Sequence, residues 1–292
     1  QNHLLLIIFD SILIGSNFMK NKIGVIQGRL LPKYQGRYQA HPLNCWQKEF
    51  EIAEGIGLDC IEFILDFNDA ESNPLLHKGG IDEIKSVSDK TGVVVKTICA
   101  DYFMEAPLHS KNSLVSEESQ RLMIRLLDSA KELGVTDIVV PCVDQSTLDS
   151  KEAAERFVDK LTPMLEIAEK YNINFSLETD LAPHPFVELL KKFDSDKVTV
   201  NYDIGNSASL GYDPIEELTA YGKKITDIHI KDRELGGGPV VLGKGNANFD
   251  LFFNKLNDLD YRGPFIMQAY RDEEGVEIFK SQLEWIKPYL AQ

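Results

Sequence analysis

Long apolar runs are missing from this chain. Residues 4–9 are apolar, but Asp10 interrupts them before residues 12–14 resume the pattern. No segment therefore reaches the roughly 20 apolar residues of a bilayer-spanning helix, and no membrane association is expected. A basic stretch ahead of that run is also missing, which argues against a secretory signal. Met19-Lys20-Asn21-Lys22 reads as a start just ahead of the first strand-like run. Residues 1–18 are therefore expected to form an extension outside the fold, with a weak secretion signal as the alternative, and 19–292 to form a single domain.

Cysteine pairs are absent as well. Cys45, Cys60, Cys99 and Cys142 include no C-x-x-C spacing, and three of them lie in or beside apolar strand-like runs. Free cysteine in such runs behaves as a small hydrophobe, so these read as reduced, buried thiols of a cytoplasmic protein. Basic charge is scarce: 31 lysines and arginines against 46 acids leave a net charge of −15. Such a surface repels phosphate backbones and disfavours nucleic acid as a partner. Low-complexity and linker-like tracts are missing too. At 292 residues and 43% apolar content, the chain can bury a large core.

What is present is a repeat of one pattern. Apolar, β-branched runs at 23–27, 60–65, 93–100, 137–142, 173–178, 198–203, 225–231 and 265–269 alternate with amphipathic stretches. The clearest helical segments, 117–133, 151–170 and 249–259, carry apolar residues three and four apart. Gly134 stops one of them, and Asp213-Pro214 caps and starts another. Eight strand-then-helix units in under 300 residues predict a closed eight-stranded β/α barrel. The competing architecture, a doubly wound open sheet, usually offers a glycine-rich first turn. Here that turn reads Gln27-Gly28-Arg29-Leu30, with one glycine.

The last four runs alternate apolar and polar residues. Ile173, Phe175 and Leu177 oppose Asn174, Ser176 and Glu178; Val198, Val200 and Tyr202 oppose Thr199, Asn201 and Asp203. Ile228 and Ile230 oppose Asp227, His229 and Lys231, and Phe265 and Met267 oppose Ile266 and Gln268. In a barrel this places Glu178, Asp203, His229 and Gln268 inward, near the C-terminal strand ends where barrel enzymes keep their chemistry. Any one of these would most simply be a hydrogen-bonded polar residue. Four on successive strands at matching heights read instead as the ligand set of one divalent cation. Mixed oxygen and nitrogen ligation suits Mn²⁺, Mg²⁺, Co²⁺ or Zn²⁺.

Ser176-Leu177-Glu178, then Asn201 to Asn206, then Asp227 to Asp232, then Leu242-Gly243-Lys244-Gly245 resemble the xylose-isomerase-like barrel superfamily. Within it, they are most similar to the sugar-phosphate isomerase/epimerase group, and residues 24–30 are similar to a subset of that group. The resemblance implies a divalent metal held by glutamate, aspartate, histidine and a second glutamate. It implies proton transfer at a sugar carbon beside a carbonyl, with a sugar or sugar phosphate as the partner. Glu178 matches the catalytic glutamate. The second one is replaced: the eighth run reads Phe265-Ile266-Met267-Gln268. An amide oxygen can ligate a metal, but an amide does not accept a proton near neutral pH.

The departure leaves several readings open. Glu178 acts alone as base and acid; or another inward acid, Glu62 or Asp101, takes the second role; or the barrel runs a lyase or dehydratase reaction. A sugar-binding protein without catalysis is a further reading. Repair of abasic DNA on the same superfold needs more histidines and a basic surface than this chain offers. Gln27, Arg29, Glu62, Asp101, Asn206 and Lys231 are candidates for binding substrate, each with an internal polar partner as the plainer reading. The glycine-rich stretches at 236–238 and 243–245, with Lys244 and Arg271 nearby, are candidates for a phosphate site, because loops after strands seven and eight often serve that purpose in barrels.

Overall fold

The computed structural model describes residues 21–272 and 275–291. The expected extension over residues 1–18 lies outside the described residues. Eight strands pair in parallel: β1 (Ile23–Ile26), β2 (Cys60–Ile64), β3 (Val94–Cys99), β4 (Asp137–Cys142), β5 (Asn174–Thr179), β6 (Val198–Asp203), β7 (Ile225–Ile230) and β10 (Phe265–Met267). They close in the order β1-β10-β7-β6-β5-β4-β3-β2, as the alternating pattern predicts. A short antiparallel pair, β8 (Asp232–Arg233) and β9 (Pro239–Val240), decorates the connection between β7 and β10.

Each strand is followed by helix, and the helix ends follow local chemistry. The helix expected over 117–133 begins earlier and spans Ser113–Leu133, because the Asn112 side chain accepts the Leu114 N–H and caps it. Gly134 ends it at φ 72°, as expected. The segment expected over 151–170 divides into Lys151–Leu161, a tight turn at Thr162–Met164, and Leu165–Tyr171. Pro163 causes the break, since it lacks an N–H and its ring crowds the preceding turn.

Two apolar layers hold this frame. The larger lies between strands and helices and includes Phe50, Phe63, Phe175 and Phe252, all fully buried. Each such side chain contributes about 1.5–3 kcal/mol by leaving water. The smaller cluster, Ile26, Cys60, Ile64, Cys99, Val139 and Ile266, comes from barrel strands alone. Polar residues of the other strands, including Thr199, Asn201, Asp227 and His229, are buried too.

Register places the strand ends. Glu178 sits opposite Pro141, and Asp203 sits opposite His229. The second pairing depends on a shift between Val200 and Asn201, which moves β6 by one residue against β7. A one-residue slip changes the face a side chain presents, so this irregularity is what brings the two polar faces to the same level.

The turn after β1 is fixed from beneath. Glu49, on the helix Trp46–Gly55, is fully buried, and its carboxylate accepts the N–H groups of Gly28 and Leu30 at 2.9–3.0 Å. Gly28 has φ 94°, and a Cβ there would stand 2.6 Å from the Tyr38 carbonyl oxygen, so glycine is required. Burial raises the Glu49 pKa from 4.5 to about 7, against the opposing N–H bonds from Gly28 and Leu30. A folded pKa above the unfolded one gives stability that is present below the unfolded value and lost as pH rises through the folded value. The protein is therefore expected to lose stability between about pH 5 and 8, by up to the order of 3 kcal/mol from this group. Glu49→Gln should flatten that slope in denaturant unfolding across the same range; an unchanged slope would assign the pH dependence elsewhere.

Candidate metal centre and its cavity

Glu178, Asp203 and His229 come together at the C-terminal strand ends. One ligating atom from each lies within 4.8 Å of the others, and all three residues are buried. The two nitrogens of His229 have different surroundings. Nε2 donates to Glu62 Oε1 at 2.6 Å, and Glu62 Oε2 accepts the Thr97 hydroxyl at 2.7 Å. Nδ1 has no hydrogen-bond partner and lies 3.8 Å from Asp203 Oδ2, which also has none. Asp203 Oδ1 accepts the Asn206 N–H at 2.8 Å, where Asp203 caps the helix Ile204–Leu210.

Gln268 lies just beyond β10 and is buried. Its Nε2 donates to Gln39 Oε1 at 2.7 Å, leaving its own buried Oε1 without a partner. Gln39 in turn donates from Nε2 to Asp101 Oδ2 at 3.0 Å. Asp203 Oδ2, His229 Nδ1 and Gln268 Oε1 are thus three buried donor atoms with nothing to bind. Unsatisfied buried polar atoms are costly, about 1–3 kcal/mol each. A carboxylate, an imidazole and an amide oxygen beside the Glu178 carboxylate are a donor set that fits a divalent cation.

The charges are arranged for the same occupant. Burial alone would lower the His229 pKa, but the charge of Glu62 and its hydrogen bond, with the Asp203 and Asp227 carboxylates nearby, hold it well above the usual imidazole range. Burial raises the Glu178 pKa to about 7; His229 opposes that rise and Asp203 adds to it. Asp203 stays below the usual carboxylate range: burial works against that, and Lys231, 3.8 Å away, and His229 outweigh it.

A cavity of about 330 Å³ opens at this level. Glu178 and Gln268 line it, together with Asp101, Asn206, Lys231 and Arg233. Asn206 ties the wall together, donating from Nδ2 to Glu178 Oε1 at 2.9 Å and accepting from Arg233 Nη1 at 2.9 Å. Lys231 Nζ also approaches Asn206 Oδ1, at 3.4 Å.

Three residues expected to meet substrate do not line this cavity. Glu62 has no exposed surface and is committed to His229 and Thr97. Gln27 is equally buried, its Oε1 accepting the Ile64 N–H and facing His41 Nδ1. Arg29 is directed to the Ala269 carbonyl, which its Nε reaches at 2.9 Å. In the structure all three are engaged inside the frame, Gln27 through its Oε1. Asp101, Asn206 and Lys231 do line the cavity.

The glycine-rich loop also departs from expectation. The fully buried Asp232 accepts the N–H groups of Gly243 and Gly245 on Oδ2 and of Ala247 on Oδ1, at 2.9–3.1 Å. A Cβ on Gly245 would lie 2.3 Å from Asp232 Oδ1. The nest that could hold a phosphate is filled by the chain's own carboxylate. Lys244 is exposed, and Arg271 is buried with Nη1 on the Arg29 carbonyl. Gln39 and Arg233 are site residues that sequence reasoning missed. Arg233 adjoins the Lys231-Asp232 motif and could have been flagged; Gln39 sits in an aperiodic loop that offers no signal.

Comparison with known proteins gives a consistent picture. The sequence model of the family described as "Xylose isomerase-like TIM barrel" matches residues 50–289. An L-ribulose-5-phosphate 3-epimerase, UlaE of Escherichia coli O1:K1 / APEC, is 23% identical over 262 residues, covering 85% of this chain and 91% of that one. A crystal structure of D-psicose 3-epimerase in the presence of D-fructose superposes with a TM-score of 0.74 at 16% identity, covering 93% of this chain and all of that one. The zinc-bound crystal structure of the IOLI protein superposes at 0.70 with 19% identity, covering 92% and 98%.

The Glu62–His229 bond yields a test. A carboxylate behind a histidine fixes its tautomer and ring orientation and raises its basicity. Glu62→Gln keeps shape and can still accept from Nε2, but removes the charge. Divalent-metal affinity measured by calorimetry should fall by about 10- to 100-fold. Unchanged affinity would show that Glu62 serves packing alone.

Proposed function

The chain belongs to the xylose isomerase-like TIM barrel family, and on that premise we propose that it is a divalent-metal-dependent sugar epimerase or isomerase, moving a proton on a carbon next to a carbonyl. One observation carries the reading: three buried, unpartnered donor atoms, on Asp203, His229 and Gln268, beside Glu178 at the C-terminal barrel end. Those four residues would hold the cation. When bound, the cation supplies polarisation of a neighbouring carbonyl oxygen, which acidifies the adjacent C–H.

Glu178 is the base in this reading. Its Oε1 is held by Asn206 Nδ2, it faces the cavity, and burial raises its pKa to about 7. A base poised near neutral pH takes and returns a proton with comparable ease. Lys231, Arg233 and Asn206 present donors around the same cavity for the oxygens of a polyol chain.

His229→Ala and Asp203→Ala are each expected to abolish stoichiometric Mn²⁺ binding in calorimetry, since each removes one of few donors. Unchanged affinity in both would refute the site. Glu178→Gln should keep the fold but slow proton exchange into a ketose substrate in D₂O by about 10² to 10⁴. If that variant exchanged at the native rate, the base would have to be another residue.

A further inference from the structure

The amide at position 268 leaves the site with one glutamate, and the structure shows where the second carboxyl group stands. Gln268, Gln39 and Asp101 form a chain of hydrogen bonds with one direction: Gln268 Nε2 to Gln39 Oε1 at 2.7 Å, then Gln39 Nε2 to Asp101 Oδ2 at 3.0 Å. Asp101 Oδ2 accepts at its end, so Gln39 presents its oxygen to Gln268. Gln268 then offers its N–H to Gln39 and keeps its buried Oε1 without a partner. Asp101 Oδ1 is held separately by the Cys99 thiol at 3.2 Å. The carboxyl group is fixed at both oxygens and lines the cavity together with Glu178, two strands away.

Resting on the reading above, we propose that Asp101 is the second proton-transferring group of the reaction, with Gln39 as the positioning residue that joins it to Gln268. The Glu178 carboxylate takes the proton from the substrate carbon beside the keto group. The C–H electron pair becomes the new C=C bond and the carbonyl pair moves to oxygen. Asp101, as the carboxylic acid, then gives its proton to a carbon of that C=C: the C=C pair forms the new C–H bond, the oxygen pair re-forms the carbonyl, and Asp101 is left as carboxylate. Exchange with solvent returns the proton from Glu178 and reloads Asp101 before the next turnover. Burial raises the Asp101 pKa, in the direction that lets it carry a proton. Glu62, the inward acid of β2, is excluded from this role because none of its surface is exposed and it does not line the cavity.

The test uses the full chain loaded with Mn²⁺ in D₂O, with D-fructose, D-tagatose, L-ribulose and L-ribulose 5-phosphate as probes. NMR follows deuterium entry at carbon and formation of epimer or isomer. In Asp101→Asn, deuterium entry should stay within a few-fold of native while product formation falls by about 10²-fold or more. Adding Gln268→Glu should restore product: the amide introduced by Asp101→Asn can donate to a flipped Gln39, which then donates to the carboxylate introduced by Gln268→Glu, and the chain runs in reverse. Native Mn²⁺ stoichiometry and melting temperature show that each variant is folded and loaded. Native product formation in Asp101→Asn overturns the proposal and leaves the function reading standing. Loss of both exchange and product in the folded, loaded variant moves Asp101 to the first transfer and also overturns it, as does a double variant that regains nothing. Exchange by the native protein with none of the four probes sinks the function reading itself.

Discussion

The imidazole of His229 has two nitrogens, and the barrel assigns them different work. Glu62 takes the Nε2 proton at 2.6 Å, in a place with no exposed surface. That bond fixes the ring plane and directs Nδ1 at Asp203. Much else is arranged to keep it: Thr97 holds the far oxygen of Glu62, and Asn201 holds Asp227 close by. A buried ion pair of this kind is stable only when its remaining lone pairs and protons are satisfied. The polar column inside the barrel engages both oxygens of Glu62, while Asp203 Oδ2, His229 Nδ1 and Gln268 Oε1 are among the buried atoms left without a partner.

Much of this was legible in the sequence, because period-two alternation is a direct report of which face a strand residue takes. Glu178, Asp203, His229 and Gln268 could be placed inward from their neighbours alone; the structure brings ligating atoms of the first three within 4.8 Å of one another and places Gln268 on the cavity that Glu178 lines. The shift between Val200 and Asn201 was not legible, yet Asp203 faces His229 only because of it. Glu62 was readable as an inward acid but not as the partner of a histidine 167 residues away. Local pattern gives direction, while partnership is set by barrel closure. Gln39 fell outside any pattern, in a loop whose shape is set by Glu49 beneath Gly28 and Leu30.

The glycine-rich loop shows the opposite failure, where a motif is real and its expected use is not. Consecutive backbone N–H groups attract an anion whatever its source. In this chain Asp232 is the anion, joined covalently and always present. What the loop gains is order: Gly243, Gly245 and Ala247 are all tied to one carboxylate, and Leu242 beside them donates its N–H to Gln282 Oε1. Positive charge near the cavity is left to Lys231 and Arg233.

The directed amide chain from Gln268 through Gln39 to Asp101 also constrains the history the sequence can have. A glutamate arriving first at 268 would meet the oxygen of Gln39, and Gln39 could turn away only by aiming that oxygen at Asp101. With Asp101 ionised, two acceptors would face each other in either case, so that intermediate is disfavoured while Asp101 is a carboxylate. An asparagine arriving first at 101 keeps the bond from Gln39, because its oxygen accepts as the carboxylate did, while its NH2 takes the place of the oxygen beside the Cys99 sulfur. It then permits the reversal once a carboxylate appears at 268. Lineages that move the acid between these two strands are therefore expected to do so in one order, through a form that carries amides at both ends.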